Sequence, residues 1–291
     1  MSIDRLQEKI RKMKNPSMVD FSMTKAEIPP YILEAEPSFA SAWECYSKAL
    51  LDNLKDAVPA VRFSMNMALA YGIEGVSALT ELLRYSKKRG YYVLLDGPGI
   101  YSTMDAERAA DALFSEDTNL HFDGLLISPY LGSDCLRPFT QQLQETQKDV
   151  FVQLRTPNRS AQELQDLLTG ARLVHMAAAD VVNRYAQAIG RSGYSQVAAA
   201  AASNAGDSLK NLRSKYKNVF LLVDGYDAPG ANAKLCSNGF DKLGHGAVVC
   251  AGTSVTGAWK NAPWTPEDHI TASKEAAERM KKNILRYITV L

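Results

Sequence analysis

The stretch Tyr91–Gly99, YYVLLDGPG, decides the fold, because a short apolar run ends there in an acid and a tight turn. The run has the length of one buried strand, and glycine and proline stop it. The same order of an apolar run, polar or turn residues and then a helical pattern recurs at Leu125–Tyr130, Val150–Asn158, Val219–Asp227 and Val248–Ser254. This repetition predicts parallel strands whose carboxyl ends carry the chemistry.

Eight such strands, separated by helical patterns, predict an α/β fold of the (β/α)8 or TIM-barrel type. We expect one domain over residues 1–291, with an N-terminal helical extension and an added C-terminal helix. A doubly wound open sheet is the less favoured alternative, because eight regularly spaced strands close more naturally. Ala198–Ala202 favours a helix by propensity, but the neighbouring repeats favour a strand. The strands are predicted near 18–21, 60–63, 91–96, 124–129, 150–155, 196–202, 219–224 and 246–251. The helices are predicted over 39–56, 74–89, 103–114, 134–145, 161–168, 207–216, 232–240 and 267–288.

The bulk composition is that of an ordinary globular protein and favours no polyanionic partner. The chain has 291 residues, 46% hydrophobic and 22% charged, with a formal net charge of +1. No basic run is interleaved with aromatics, so we expect neither nucleic-acid nor membrane binding. Met1–Lys14 is charged and helical in period, unlike a signal peptide, which predicts a cytoplasmic protein. The four cysteines and four histidines show no ligand spacing, so no metal site is predicted, and Cys250 at a strand end is the one cysteine of interest.

Several motifs resemble those of the orotidine 5′-phosphate decarboxylase family, in its longer-chain bacterial form, from about Val19 to about Lys260. These are SPYLGSD at 128–134, RTPN at 155–158, GYS at 193–195, DGYDAPG at 224–230 and GHGAVVCAGTS at 244–254. Members of that family carry N-P-Y-L-G-x-D, T-S-N, G-Y-S-S, P-G-Y-G-A-Q-G and a final S-S-R in the same order. The resemblance implies a homodimeric barrel that needs no cofactor, binds a phosphorylated, nucleotide-like ligand and decarboxylates orotidine monophosphate to uridine monophosphate in pyrimidine biosynthesis.

The catalytic motif of that family, D-x-K-x-x-D after the third strand, is incomplete here. Asp96 matches the first carboxylate, but Pro98 stands in place of the proton-donating lysine and Tyr101 in place of the second carboxylate. The lysine expected at the end of the second strand is Arg62, which keeps a charge but is a poor acid. Thr253 takes the place of the phosphate-clamping arginine.

The resemblance and the strand ends together select the candidate residues. Asp224 and Asp227 appear at the phosphate rim, where they would repel a phosphate unless they face away or bind a cation. Backbone amides near Gly252 remain as candidate anion donors. The catalytic candidates are Asp96, Arg62, Asp20 and Thr103, and the ligand-binding candidates are Tyr130, Thr156, Asn158, Gly225, Gly252, Thr253 and Ser254.

Three functions are compatible with these residues. The chain retains decarboxylation of orotidine monophosphate, or it is a degenerate paralogue, a pseudoenzyme that binds another phosphorylated metabolite or a protein partner. The third hypothesis is a different lyase or isomerase, in which Arg62, Asp96 and Asp224 serve an enolate-type reaction with a divalent cation.

Overall fold

The computed structural model describes residues 1–291 and contains a closed barrel of eight parallel strands. The predicted (β/α)8 barrel is therefore confirmed, and the open sheet is excluded. Each strand pairs with its neighbour in chain order, and the last pairs with the first. We name the strands β1 (Ser17–Asp20), β2 (Ala60–Ser64), β3 (Tyr92–Asp96), β4 (Gly124–Ile127), β5 (Asp149–Arg155), β6 (Val197–Ala202), β7 (Leu221–Asp224) and β8 (Ala247–Ala251).

The strand register brings the polar strand ends together at one rim. Asp20 on β1 lies opposite Arg62 on β2, and Ser64 on β2 lies opposite Asp96 on β3. On the far side of the barrel, Ala202 on β6 lies opposite Asp224 on β7. Because all strands are parallel, these carboxyl ends form a single mouth.

Helices surround the barrel, and none is long and apolar enough to cross a membrane. For most of the predicted helices, both boundaries lie within a few residues of the observed boundaries. The helix predicted over 267–288, for example, is observed at His269–Ile284 and packs on Phe39–Leu54. The helices are Ser2–Met13, Pro30–Ala35, Phe39–Leu54, Met65–Ala70, Gly72–Lys88, Thr103–Leu113, Arg137–Gln141, Leu143–Thr146, Val174–Tyr185, Ser208–Lys215, Ala233–Ser237, Thr253–Thr256 and His269–Ile284.

Two helix predictions are wrong. The helix predicted over 134–145 is broken into a 3-10 turn and two short helices, since Pro138 has no N–H for a continuous ladder and sits at a helix start. The helix predicted over 161–168 is a 3-10 turn followed by a two-stranded hairpin, Leu168–Thr169 and Arg172–Leu173. Gly170 turns that hairpin with a φ of 64°. The helix that joins β5 to β6 is Val174–Tyr185, which was not among the predicted elements.

The alanines of β6 are a strand because the barrel interior needs small side chains there. Ala198 and Ala200 belong to the interior cluster, with Phe151 and Phe220 in the same layer. The two phenylalanine rings meet edge to face at 6.4 Å. Tertiary packing thus overrides the helix propensity of the alanine run.

The N-terminal helix closes the end of the barrel opposite the mouth. Ile3, Leu6 and Ile10 are fully buried in the same cluster as the barrel interior. Beside them, the Tyr92 hydroxyl donates a hydrogen bond of 2.8 Å to the buried Asp149 carboxyl. The polar mouth is therefore the accessible end of the interior.

Candidate functional site

Arg62 is the centre of the barrel mouth and contacts three aspartates from three other strands. The residue is 9% exposed. Its guanidinium donates to Asp96 Oδ2 at 2.8 Å and to Asp224 Oδ2 at 3.2 Å. Its Nε lies 3.7 Å from Asp20 Oδ2. The predicted residues Asp20, Arg62 and Asp96 are thus brought together, and Asp224 joins them.

The charges of this cluster stabilise the guanidinium ion. Burial alone would lower the pKa of Arg62, but the carboxylates of Asp224, Asp20 and Asp96 outweigh it and raise that pKa well above its usual value. Burial also raises the pKa of the Asp20 carboxyl, and Arg62 offsets only part of this shift. Arg62 is therefore a fixed positive charge, whereas the raised pKa of Asp20 means that its carboxyl holds a proton more readily than an ordinary aspartate.

A cavity of about 260 Å³ opens beside this cluster, between the ends of β1, β7 and β8. Its walls carry four carboxylates, from Asp20, Glu27, Asp224 and Asp227, and no lysine or arginine. Burial raises the pKa of the Cys250 thiol, so the sulfur at this wall stays neutral. The remaining walls are formed by Ser22, Pro157, Gly225, Tyr226, Ala228, Gly252, Thr253 and Thr256.

Two of the amides after β8 already bind a carboxylate of the chain itself. Asp227 Oδ2 accepts hydrogen bonds from the Gly252 N–H at 2.8 Å and the Ser254 N–H at 3.2 Å. The Thr253 hydroxyl donates to Glu27 Oε1 at 2.9 Å. Gly252, Thr253 and Ser254 therefore lie at the mouth, and the N–H groups of Gly252 and Ser254 and the hydroxyl of Thr253 are bound to acidic side chains.

Gly225 shapes the loop after β7. Its φ is 75°, a conformation that favours glycine, and an added Cβ would lie 2.6 Å from the Pro157 Cβ. The loop therefore passes close to the end of β5, and Gly225 forms part of the cavity wall.

Three of the ligand-binding candidates lie just after β4 and β5: Tyr130, Thr156 and Asn158. Their polar groups form hydrogen bonds with other groups of the protein. The Tyr130 hydroxyl donates to the Leu154 carbonyl at 3.4 Å. The Thr156 hydroxyl donates to Asn158 Oδ1 at 2.6 Å, and the Thr156 N–H donates to Gln165 Oε1 at 2.8 Å. None of these three residues lines the cavity beside Arg62.

Thr103 lies apart from the cluster. It begins the helix Thr103–Leu113, for which Ser102 is the N-cap. It lines a separate cleft with Glu107, Asp134 and Arg137. Pro98 and Tyr101 stand in the loop between this helix and Asp96, and the Tyr101 side chain is 84% exposed.

The sequence did not predict a network of polar contacts that supports the end of β5. Arg155 pairs with Asp166 at 2.9 Å, and Asp166 lies 3.2 Å from His175 Nδ1. His175 Nε2 is 3.0 Å from the Ser208 hydroxyl. His175 is fully buried, and Ser208 does not line the cavity beside Arg62, so this arrangement joins the loops after β5 and β6. Glu27 was also missed, since its loop carries no strand pattern.

The ligand geometry expected of a divalent cation is not present. No three side chains of His, Cys, Asp or Glu are placed to hold one metal ion. Asp96 and Asp224, which the third hypothesis invokes together with Arg62, pair with the Arg62 guanidinium.

The fold and this charged mouth define the class of protein, a (β/α)8 barrel with its candidate site at the carboxyl ends of the strands. No protein-family model matches the chain. It is similar to orotidine 5′-phosphate decarboxylase from Clostridium novyi, at 26% identity over 98% of each chain. It is also similar to the protein of that name from Clostridium acetobutylicum, at 28% identity over 89% of this chain and 90% of the relative.

Solved structures agree on the fold. The orotidine 5′-monophosphate decarboxylase of Plasmodium berghei superposes with a TM-score of 0.76 at 14% identity, covering 98% of this chain and 97% of the other. The OMP decarboxylase of Leishmania donovani gives a TM-score of 0.72 at 23% identity, covering 98% and 99%. The chain therefore shares the fold of these proteins and resembles proteins named orotidine 5′-phosphate decarboxylase over nearly its full length.

Proposed function

We propose that the chain is a divergent homologue of the orotidine 5′-phosphate decarboxylases that binds a small molecule at the barrel mouth without decarboxylating orotidine monophosphate. One observation carries this proposal. The cation beside Asp96 is the Arg62 guanidinium, paired at 2.8 Å and with a raised pKa.

Decarboxylation leaves a carbanion that needs a proton from a nearby acid. A general acid works best when its pKa lies near the working pH. The pKa of an arginine side chain already lies far above that range, and the three carboxylates beside Arg62 raise it further. Pro98, at the position of the motif's lysine, has no proton to give. The mouth therefore keeps a charge for binding and orientation but lacks an ammonium donor.

Retained but slow decarboxylation is the second candidate, and Asp20 is the observation that favours it. Its carboxyl lines the cavity, and burial raises its pKa, so a protonated fraction is available as an acid. If this route operates, Asp20→Asn abolishes the residual rate.

The test is turnover of orotidine monophosphate by the purified protein, followed by loss of the orotate absorbance. The Clostridium novyi relative serves as the positive control. We expect a rate indistinguishable from the buffer blank. A rate above the blank that disappears in Asp20→Asn would replace the first proposal with the second.

We further propose a cytoplasmic homodimer that associates close to the mouth. Large apolar side chains are exposed on the segments that follow β2 and β3, with Ile73 89% and Tyr101 84% exposed. Leu69 and Met104 are also exposed on these segments. Light scattering of wild type and of Ile73→Asp tests the assembly, since the charged variant is expected to be monomeric.

A further inference from the structure

A second cavity lies at the end of the barrel that the N-terminal helix closes, opposite the mouth. It has a volume of about 400 Å³ and lies between the helix Ser2–Met13, the segment before β6 and the residue His245 before β8. None of its seven lining residues is hydrophobic, and four are charged: Asp4, Glu8, Arg11 and Arg191. Such walls favour a polar ligand that forms hydrogen bonds.

Gln7 gives this cavity a buried hydrogen-bond donor that has no partner. Gln7 lines the cavity and is 2% exposed. Its Oε1 accepts a hydrogen bond from the Gly246 N–H at 2.9 Å, whereas Nε2 of the same amide has no partner. Turning the amide would not help, because Nε2 would then face the N–H of Gly246. A buried donor without an acceptor is unfavourable, so we expect a ligand in the cavity to supply an acceptor oxygen.

Two arginines in the walls of the cavity are available to bind an anion. Neither Arg11 nor Arg191 forms an ion pair with an aspartate or a glutamate. Arg11 donates through Nε to the Leu291 carbonyl at 3.1 Å, which leaves its two terminal nitrogens unbound. A guanidinium group presents a planar pair of donors that matches a carboxylate or a phosphate. These donors and Nε2 of Gln7 therefore fit one oxyanion.

The two carboxylates of the cavity have different surroundings. Asp4 Oδ1 accepts from the Ser192 N–H at 2.8 Å. Burial would raise the pKa of Asp4, but the hydrogen bonds from Ser192 outweigh it and hold that pKa below its usual value. The charge of Asp4 is therefore compensated within the protein. Glu8 is exposed and lies in the same wall, so its carboxylate is available to accept a hydrogen bond from a ligand hydroxyl.

We propose that this cavity is a binding site for a small hydroxylated oxyanion, whose charged group is a carboxylate or a phosphate. The charged group binds Arg11, Arg191 and Nε2 of Gln7, and a hydroxyl of the ligand donates to Glu8. Such a ligand connects the N-terminal helix with the segment before β6, so its binding also stabilises the closed end of the barrel. The site is separate from the mouth and does not depend on the function proposed there.

Isothermal titration calorimetry of the full chain, at fixed ionic strength and with three probes, tests the site. Glycerol 3-phosphate and L-malate each combine one kind of charged group with a hydroxyl, and glycerol has hydroxyls without a charge. We expect at least one of the two anions to bind and to raise the thermal unfolding midpoint, whereas glycerol does not bind. The anion that binds more tightly distinguishes a phosphate ligand from a carboxylate ligand.

Two variants locate the binding. Arg191→Gln removes a guanidinium that is exposed and unpaired, and it should weaken binding of the anion at least tenfold. Gln7→Glu keeps an oxygen for the Gly246 N–H but replaces the free donor by an acceptor, and it should abolish binding. Arg279→Gln is the matched control, because it removes an exposed arginine from the helix His269–Ile284, outside this cavity. Circular dichroism establishes that all variants are folded.

Three results would overturn the inference: binding of neither anion, anion binding that Arg191→Gln leaves unchanged, or equally tight binding of glycerol. An anion that binds at the mouth instead would be insensitive to Arg191→Gln, so this variant separates the two ends of the barrel. Equal losses in Arg191→Gln and Arg279→Gln would also contradict the proposal, because they would show a general effect of net charge.

Discussion

Arg62→Met removes the positive centre of the mouth while keeping much of the side-chain volume. Three carboxylates that now surround a guanidinium would face one another without a cation. Removing one partner of a buried ion pair typically costs about 3–5 kcal/mol. Because the Asp96 side chain is 30% exposed, water compensates part of the loss there. We therefore expect a loss near the lower end, about 3 kcal/mol in the free energy of unfolding at neutral pH.

The loss is expected to depend on pH. Without the guanidinium, the pKa of the Asp20 carboxyl, which burial already raises, rises further above that of the unfolded chain, near 3.9 for aspartate. An acid whose folded pKa is raised binds its proton more tightly in the folded state. Its stabilising contribution is therefore full below the unfolded pKa and is lost as the pH rises through the folded pKa. The loss in the free energy of unfolding caused by Arg62→Met should then become smaller as the pH falls from about 7 to about 5.

Urea unfolding followed by circular dichroism at both pH values measures this deficit. Arg155→Met is the matched control, because Arg155 is 6% exposed and pairs with a single carboxylate, that of Asp166. We expect the control to recover less stability on acidification. A loss below about 1 kcal/mol for Arg62→Met at neutral pH, the size of an exposed pair, would refute the reasoning. So would an equal loss at both pH values.

Three further outcomes are expected. Pro98→Lys should leave orotidine monophosphate turnover at the blank, since Tyr101 stands where the resembled motif has its second carboxylate; a tenfold rise in the spectrophotometric assay would contradict this. Burial raises the pKa of Asp149 well above its usual value. Wild type should therefore gain stability over Asp149→Asn as the pH falls, and thermal melts that stay parallel from about pH 8 to pH 5 would argue against it. His175→Ala leaves the buried Ser208 hydroxyl without a partner and should cost about 1–3 kcal/mol. His175→Ala should also speed hydrogen exchange at the Thr156 amide. Unchanged exchange would show that the polar contacts of His175 do not stabilise the loop after β5.

The barrel could be predicted because each strand is a local pattern. An apolar run such as Tyr91–Leu95 stops at a polar residue and a turn, and β3 is observed at Tyr92–Asp96, one residue shorter than expected. The helix predicted after β5 was wrong for a local reason as well. Gly170 closes a small exposed hairpin there, and the helix begins only at Val174, so the helical period starts later than the repeat suggests.

The candidate site was predictable only as far as strand ends show it. Asp20, Arg62 and Asp96 could be selected because they match positions of the resembled family at or near strand ends, but the direction of each side chain depends on strand register. The contact of Asp227 with amides 25 and 27 residues away depends on how two loops fold over the rim. Glu27 reaches Thr253 across a still longer separation. Such contacts follow from tertiary structure and leave no periodic pattern in the chain.

The joint attachment of Arg62 to β1, β3 and β7 has an evolutionary consequence. Exchanging Arg62 for a residue that donates a proton would weaken the barrel mouth, because three strands share this one counter-ion. Replacing Arg62 removes the shared counter-ion, and adding a lysine at Pro98 introduces a charge with no carboxylate reserved for it. The path to proton-donating chemistry therefore crosses a less stable intermediate, which favours keeping the present mouth even in a lineage where the other activity would be useful.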